Sequence, residues 1–229
     1  MKALTEKKLI ELSEFISNNQ FIEDCDKELI TAKIREIIAC ECNEQKLGKL
    51  DLYDFTDNKD TYRNWVRAVH YMNGYRYASE THILIKIKSD YPIEMEGKSI
   101  CKDGSELSDV RLPNFDSVIA SWDSLQTSSD FKIDFDRLNE CVKQAKAHKK
   151  IYKKATISRL ELGDTGTYVD AFLFFKFANA IKALGGDTCK VKVGQYAHSI
   201  NYKSDDVDIL IMPQMKPECI DDNVLIQKI

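Results

Sequence analysis

The run Val207-Asp208-Ile209-Leu210-Ile211-Met212 is the clearest strand signal in the chain, because aliphatic residues dominate it and Pro213 follows it. Two other strand-length runs precede it, at residues 188–193 and 196–202. Short segments rich in Gly, Ser and Asp separate the three runs, as expected for turns. We therefore predict three consecutive antiparallel strands near the end of the sequence.

Residues 168–184, which come before these strands, predict a mostly buried helix. Apolar side chains at helical spacing form one stripe, and additional phenylalanines widen the apolar surface around it. The members of the stripe are Leu173, Phe177, Ile181 and Leu184. Gly185-Gly186 is typical of a helix end.

The first half of the chain repeats this order of elements. Two amphipathic helices are predicted before residue 40, and three strand-like runs follow at residues 65–71, 75–78 and 82–87. Asn73-Gly74 lies between the first two runs and predicts a hairpin. The pattern indicates an α+β fold with helices packed on antiparallel sheets.

The domain organisation is predicted as two pseudo-repeated halves. Residues 1–125 would hold the helical pair and the antiparallel meander, and residues 130–229 would form the second half. Residues from about 88 to 130 are dense in Asp, Glu, Gly, Ser and Pro, which is typical of a boundary, so the division between the halves is placed in this region. We also predict a strand at residues 49–53.

The composition restricts the class of protein. A chain of 229 residues with 43% hydrophobic content can bury a core, and its seven scattered cysteines do not suggest a disulfide framework. No signal peptide and no long apolar run is visible, so we expect a cytoplasmic protein. The net charge of −4 argues against nucleic-acid binding over the whole surface, but a local basic face is compatible with it.

Four segments resemble, in the same chain order, motifs of the bacterial sliding clamp, the ring-forming processivity subunit of the replicative DNA polymerase. They are Tyr77-Ala78-Ser79-Glu80-Thr81-His82-Ile83-Leu84, Leu112-Pro113-Asn114-Phe115-Asp116-Ser117-Val118-Ile119, Thr167-Tyr168-Val169-Asp170-Ala171-Phe172 and Leu210-Ile211-Met212-Pro213. They resemble the clamp's histidine turn, its interdomain linker, the entry to its last helix and its closing strand. The resemblance implies a DNA-clamp-like fold.

The chain also departs from the clamp pattern. A full clamp has three domains, whereas this chain has room for two at most. Thr81 stands where the family has glycine, and Ile83 where it has arginine. The strands expected between Glu161 and the aromatic helix are abbreviated. We therefore interpret the chain as a divergent or abridged clamp-like protein.

In the clamp family, the histidine turn and the closing strand line a hydrophobic groove that captures short peptides of polymerases and other DNA-handling proteins. By position, the groove residues implied by the resemblance are Ser79, Thr81, His82, Leu84, Leu210, Ile211, Met212, Pro213 and Gln214. A Met and a Pro beside aliphatic residues suit an adaptable peptide pocket. The same residues could instead belong to an ordinary buried strand.

A basic cluster lies on and after the predicted helix that follows residue 135. It consists of Arg137, Lys143, Lys146, Lys149, Lys150, Lys153 and Lys154. Because clamps face double-stranded DNA with basic helices, the cluster is a candidate DNA contact, although such a run is often only a solvated face. Assembly into a ring or a dimer of identical subunits is expected on the same grounds.

No local motif of an enzyme occurs in the sequence, and we predict no catalytic residue, metal site or cofactor. His70, His82, His148, His198 and the Cys40-x-Cys42 pair lack the spacing of a zinc site. The prediction is therefore a non-enzymatic, clamp-like, DNA-associated protein that binds peptides. Two alternatives stay open: an interaction module without DNA binding, and a small-molecule-binding or hydrolytic protein with a cleft between the halves.

Overall fold

The computed structural model describes residues 47, 49–60, 62–123, 127–152, 156–193, 198–216 and 222–229, together with residues 11–12, 14–18, 26–28, 30 and 34. The chain divides into two compact units, Met1–Leu50 and Asp51–Ile229. In the first unit, residues 11–12, 14–17, 26–28, 30 and 34 are helical, as predicted for this region. The predicted domain boundary near residue 125 stays a prediction.

The predicted hairpin is present at Asn73-Gly74. Both residues have positive φ angles, 54° and 76°, which is the requirement of a two-residue type I′ turn. This turn joins strand β1 (Ala68–Met72) to strand β2 (Tyr75–Ser79), and strand β3 (Ile83–Lys88) pairs with β2 in the antiparallel direction. The meander predicted for the first half is therefore confirmed.

The three predicted strands of the second half are also confirmed as β8 (Thr188–Val193), β9 (His198–Lys203) and β10 (Val207–Ile211). β10 pairs with β3 in the antiparallel direction, with Ile209 opposite Ile85. Two additional strands, β4 (Ser99–Cys101) and β5 (Thr127–Lys132), lie at the edges. One eight-stranded sheet results, in the order β4-β1-β2-β3-β10-β9-β8-β5.

In the described part of Asp51–Ile229, three α-helices accompany the sheets: α1 (Phe115–Asp123), α2 (Phe135–Tyr152) and α3 (Ala171–Ala183). Each begins at a polar side chain that accepts backbone N–H bonds of the first turn, namely Asn114, Asp134 and Asp170. The helix α3 is mostly buried, as predicted. Its fully buried face, however, is centred on Phe174, Phe177 and Ile181.

A second sheet contains three strands in the order β11-β6-β7, where β6 is Ile157–Glu161, β7 is Tyr168–Asp170 and β11 is Val224–Lys228. A tight turn links β6 to β7, because the Leu162 N–H donates to the Thr167 carbonyl at 3.0 Å. The abbreviation inferred from the sequence is therefore present. β11 was not predicted, and it pairs with β6 in the parallel direction.

Three regions differ from the expectation. Residues 65–67, at the start of the strand-like run predicted at 65–71, belong to a 3-10 helix, Asn64–Arg67, and the strand begins at Ala68. The residues predicted as a strand at 49–53 lead into a 3-10 helix, Leu52–Phe55, because the Asp51 carboxylate accepts the Tyr53 N–H. The polar region after Lys88 contains β4 and α1 rather than only loops. Short apolar runs do not distinguish helix from strand by periodicity alone.

The described chain has the predicted α+β class, with helices packed on largely antiparallel sheets. Among the described residues, no helix is both long enough and apolar enough to cross a membrane.

Candidate functional site

The pairing of β3 with β10 places Leu84 opposite Leu210 on one face of the large sheet. Phe115 and Ile119 of α1 pack on the same face, together with Tyr77 of β2. All five side chains are buried. Trp65 and Leu112, which are half-buried, border this cluster. An apolar floor therefore forms where α1 crosses strands from both halves of the chain.

Phe115 organises the aromatic part of this floor. Its ring stacks on Tyr77, with a centroid distance of 5.2 Å, and on His70, with a centroid distance of 5.8 Å. Trp65 meets the same ring edge to face, with centroids 5.9 Å apart. These offset and edge contacts are the favoured arrangements of aromatic pairs. They fix the first turn of α1 against the sheet.

The turn between β2 and β3 forms one wall. The Ser79 hydroxyl donates to the Ile83 carbonyl at 2.8 Å and accepts the Thr81 N–H at 3.1 Å, which closes the turn. Thr81 has a φ of 77°, a left-handed conformation that a β-branched residue rarely adopts. Thr81, which stands where the histidine turn of the clamp family has glycine, therefore has a backbone conformation that favours glycine.

The wall formed by the turn is tied directly to the end of β10. The Met212 N–H donates to the His82 carbonyl at 2.7 Å. The turn is also held to α3, because Glu80 forms an ion pair with Lys176 at 2.5 Å. Both partners of this ion pair are largely shielded from solvent, so it holds the turn more firmly than an exposed pair would.

These elements enclose a cavity of about 170 Å³, which we call the α1 groove. Its lining residues are Trp65, Ser79, Thr81, His82, Ile83, Leu84, Pro113, Phe115, Val118, Leu210 and Met212. Most of them are apolar, and the floor is buried. By contrast, His82, Val118 and Met212 are exposed at the rim, where Met212 has a relative exposure of 43%. The groove is therefore an apolar depression that is open to solvent.

His70 supports the groove from behind. Its Nε2 lies 2.8 Å from the Trp65 carbonyl and its Nδ1 lies 2.8 Å from the Ser99 hydroxyl. Because a carbonyl only accepts, Nε2 carries the proton and Nδ1 accepts from Ser99. Burial lowers the pKa of His70 to about 4, so the ring is neutral at physiological pH.

Asp116 fastens α1 to the sheet. Its carboxylate accepts a bond from Lys86 Nζ at 2.7 Å and one from the Tyr77 hydroxyl at 3.1 Å. The Lys86 ammonium holds the pKa of Asp116 below its usual value, whereas burial raises the pKa of Tyr77. Asp116 thus stays ionised as the common acceptor, and it links α1 to β2 and β3.

The structure brings together six of the nine residues implied for the groove. They are Ser79, Thr81, His82, Leu84, Leu210 and Met212. Ile211 does not line the cavity, because successive side chains of a strand alternate between faces and this one is fully buried. Pro213 and Gln214 also lie outside the lining, since the chain has turned toward β7, where the Gln214 N–H donates to the Tyr168 carbonyl.

Five lining residues were not predicted as groove residues: Trp65, Ile83, Pro113, Phe115 and Val118. Three of them come from the segment that resembles the clamp linker, so that motif contained a usable signal. Trp65 precedes β1 and gave no local indication of its role, because only the tertiary fold brings it beside Phe115.

The predicted basic cluster is divided by the fold. Lys143, Lys146 and Lys150 line a second depression, of about 380 Å³, whose other lining residues include Val142 and Phe175. Arg137 Nε instead donates to the Lys228 carbonyl at 3.3 Å, and Lys149 Nζ lies 5.3 Å from the centroid of the Phe172 ring. Lys153 and Lys154 lie outside the described residues. Three lysines therefore form an exposed stripe along α2, which we call the lysine stripe.

The four histidines can be placed only in part. His70 and His148 are described in hydrogen bonds to backbone carbonyls, and the His82 ring lies 3.1 Å from the Thr81 hydroxyl. The side chain of His198 and the pair Cys40-x-Cys42 lie outside the described residues. Within the described part of the chain, no group of three or more His, Cys, Asp or Glu could hold a metal ion.

No protein-family model matches the sequence, and no curated protein matches it. Among solved structures, the chain is similar to the Helicobacter pylori beta clamp bound to a DNA ligase peptide, with a TM-score of 0.46 and 12% identity over 72% of this chain and 61% of the clamp. It is also similar to the sliding clamps of Caulobacter crescentus and Bacillus subtilis. Their TM-scores are 0.49 and 0.46 and their identities 10% and 11%, over 75% and 76% of this chain. The chain spans less than two thirds of each of these clamps.

Proposed function

We propose that this chain is a non-enzymatic, clamp-like protein that binds a short peptide of a DNA-handling partner, such as a polymerase, in the α1 groove. The observation that carries the proposal is the groove itself, an apolar depression between the Ser79–Leu84 turn, the end of β10 and α1. A concave apolar site with a few polar groups is the usual form of a peptide or small-ligand site.

The chemistry of the lining favours a peptide with apolar side chains. Leu84, Leu210 and Phe115 can receive an aliphatic or aromatic anchor, and the unbranched Met212 at the rim can adapt its shape to it. The hydroxyl of Thr81 and the imidazole of His82 offer hydrogen bonds at the edge. These two side chains would orient the peptide rather than react with it.

The test is selection of a random displayed peptide library on the full chain, followed by measurement of the affinity of the selected peptide. Met212→Glu places a charge at the rim of the groove and should weaken binding at least about tenfold, because a charge beside an apolar contact costs well above 1.4 kcal/mol. Met215→Glu is the matched control, since Met215 is 81% exposed and lies outside the groove. Equal affinity of the two variants would refute the α1 groove as the binding site.

We further propose that the lysine stripe contacts double-stranded DNA. The support is its exposure and its spacing, because Lys143, Lys146 and Lys150 follow one another along one side of α2. Phosphate contacts of this kind give affinity without base recognition. A clamp-like protein would need that property in order to move along a duplex.

Fluorescence anisotropy with a labelled duplex at several salt concentrations tests the DNA contact. The triple variant Lys143→Glu/Lys146→Glu/Lys150→Glu should bind more weakly, and its salt dependence should be less steep by about three in log–log slope. The control is Lys88→Glu/Lys132→Glu/Lys190→Glu, which makes the same charge change at exposed positions outside α2. Unchanged binding of the first variant would refute the lysine stripe as the DNA contact. Absence of duplex binding by the unaltered protein would instead favour the alternative of an interaction module without DNA binding.

A further inference from the structure

β11 occupies the edge of β6 in the small sheet. The parallel register runs from Val224 opposite Ile157 to Lys228 opposite Glu161. Backbone hydrogen bonds continue beyond the strand at both ends, from Ile157 N–H to the Asn223 carbonyl at 2.9 Å and from Gly163 N–H to the Ile229 carbonyl at 2.8 Å. β11 thus covers the whole length of β6 and is itself an edge strand.

The side-chain contacts of this segment converge on one receiving surface, formed by α2 and the loop after β6. His148 Nε2 donates to the Asp222 carbonyl at 2.8 Å, and Gln227 Nε2 donates to Gln144 Oε1 at 2.7 Å. Lys228 Nζ pairs with Asp164. We call the β6 edge together with these α2 side chains the strand-acceptor edge.

The contact between β11 and the strand-acceptor edge is polar and incompletely satisfied. Within the described residues, three buried polar atoms at this contact have no hydrogen-bond partner: His148 Nδ1, Ser158 Oγ and Gln227 Oε1. A buried polar atom without a hydrogen-bond partner in the protein makes a contact less favourable than full pairing would, so β11 is held less firmly than a strand with every polar group paired. The central strands of the large sheet, by contrast, meet through fully buried isoleucines such as Ile85 and Ile209.

Such a contact is more typical of surfaces that associate and separate than of a permanent core. The apolar residues of β11 agree with this, because Val224, Leu225 and Ile226 are only half-buried. β11 therefore has the properties of an extended segment bound to a receiving edge, which is the recognition mode of strand addition.

We propose that the strand-acceptor edge is a strand-binding site, and that the β11 of a second copy of this chain can take the place of the chain's own β11 there. A second copy presents the same residues, so the exchanged strand would form every contact described above. The exchange would be reciprocal and would give a dimer with twofold symmetry. This surface is separate from the α1 groove.

The exchange requires that β11 detaches while the large sheet stays folded. Hydrogen exchange on the intact protein tests this directly: the amides of Ile157, Gly163 and Ile229, which donate across this contact, should exchange together and at least about tenfold faster than the amides of β3 and β10. Equal protection of both groups would refute a separable strand.

A synthetic peptide with the sequence of residues 222–229 tests whether the strand-acceptor edge binds a separate strand once the chain's own β11 has been released. Ile226→Pro in the full chain should release β11, because proline is disfavoured inside a strand. This variant should bind the labelled peptide at least about tenfold more tightly than the unaltered chain, whose own strand competes at a millimolar effective concentration. A peptide that carries the same proline is the control, and a folded variant that does not bind the unaltered peptide would refute the site.

Light scattering after refolding at increasing protein concentration tests whether the strand-acceptor edge can bind the β11 of a second copy of the chain. The unaltered chain should form a growing fraction of dimer, and Ile226→Pro should remain a monomer under the same conditions. Peptide binding without any dimer would overturn the assignment to a second copy. Equal dimer fractions in both proteins would show that the association does not use β11.

Discussion

At the scale of single residues, the α1 groove depends on a few side chains that act indirectly. Thr81 adopts a φ of 77° because Ser79 and Ile83 close the turn around it, and this conformation turns the His82 carbonyl toward Met212. His70 does not line the cavity, but its Nε2 donates a hydrogen bond to the Trp65 carbonyl and its ring stacks on Phe115. Residues behind the groove therefore decide the positions of residues in it.

The neutral state of His70 makes stability dependent on pH. Its folded pKa, about 4, lies below the ordinary value of 6.5, so the unfolded chain takes up the proton first as the pH falls. The contribution to stability is complete above pH 6.5 and is lost as the pH falls toward 4. Across this range the unaltered protein should lose about 3 kcal/mol more of its unfolding free energy than His70→Gln.

Urea unfolding of both proteins at a series of pH values measures this difference. Other groups titrate in the same range, but they are present in both proteins and cancel in the comparison. Parallel curves for the two proteins would contradict the role of His70.

At the scale of elements, α1 connects the groove to the sheet. Its first turn is defined by Asn114, whose side-chain oxygen accepts the Ser117 N–H at 2.9 Å, and by Asp116, which bonds to Lys86 and Tyr77. Phe115 and Val118 then project from this turn into the lining. The short helix is therefore positioned by polar contacts at its start and by aromatic packing along its side.

Removal of the helix cap should loosen this wall of the groove. Asn114→Ala should lower the unfolding free energy by about 1 kcal/mol, because an N–H of the first turn loses its acceptor. The peptide selected on the groove should bind more weakly to the same variant. Asn114→Asp is the matched control, since aspartate also accepts this bond, and it should behave like the unaltered protein in denaturant unfolding and in peptide titration.

At the scale of the whole molecule, the large sheet joins the two predicted halves of the chain. β1 to β3 come from the first half and β8 to β10 from the second, and the β3–β10 pairing connects them through five residue pairs. The α1 groove lies at this connection, so its two strand walls have separate origins in the sequence. The groove can only exist when both parts are folded together.

This continuity predicts cooperative unfolding of the sheet. Ile85 is fully buried at the connection, and Ile85→Ala should cost about 2–5 kcal/mol through lost packing and a cavity. Hydrogen exchange should show an equal loss of protection in β1–β3 and in β8–β10. Ile93→Ala is the control, because Ile93 is 83% exposed and its replacement should change stability by less than about 0.5 kcal/mol. Loss of protection in only one group would mean that the halves unfold independently.

The sequence by itself determined the α+β class, the Asn73-Gly74 hairpin, the consecutive strands β8 to β10 and the buried helix before them, because each follows from local periodicity and turn chemistry. The short motifs that resemble those of the sliding clamp, in the same chain order, also pointed to six of the residues that line the α1 groove. The tertiary structure alone decided the placement of Trp65 beside Phe115, the division of the lysines on α2 and the parallel docking of β11. These features depend on contacts between segments distant in sequence, and local patterns contain no signal for such contacts.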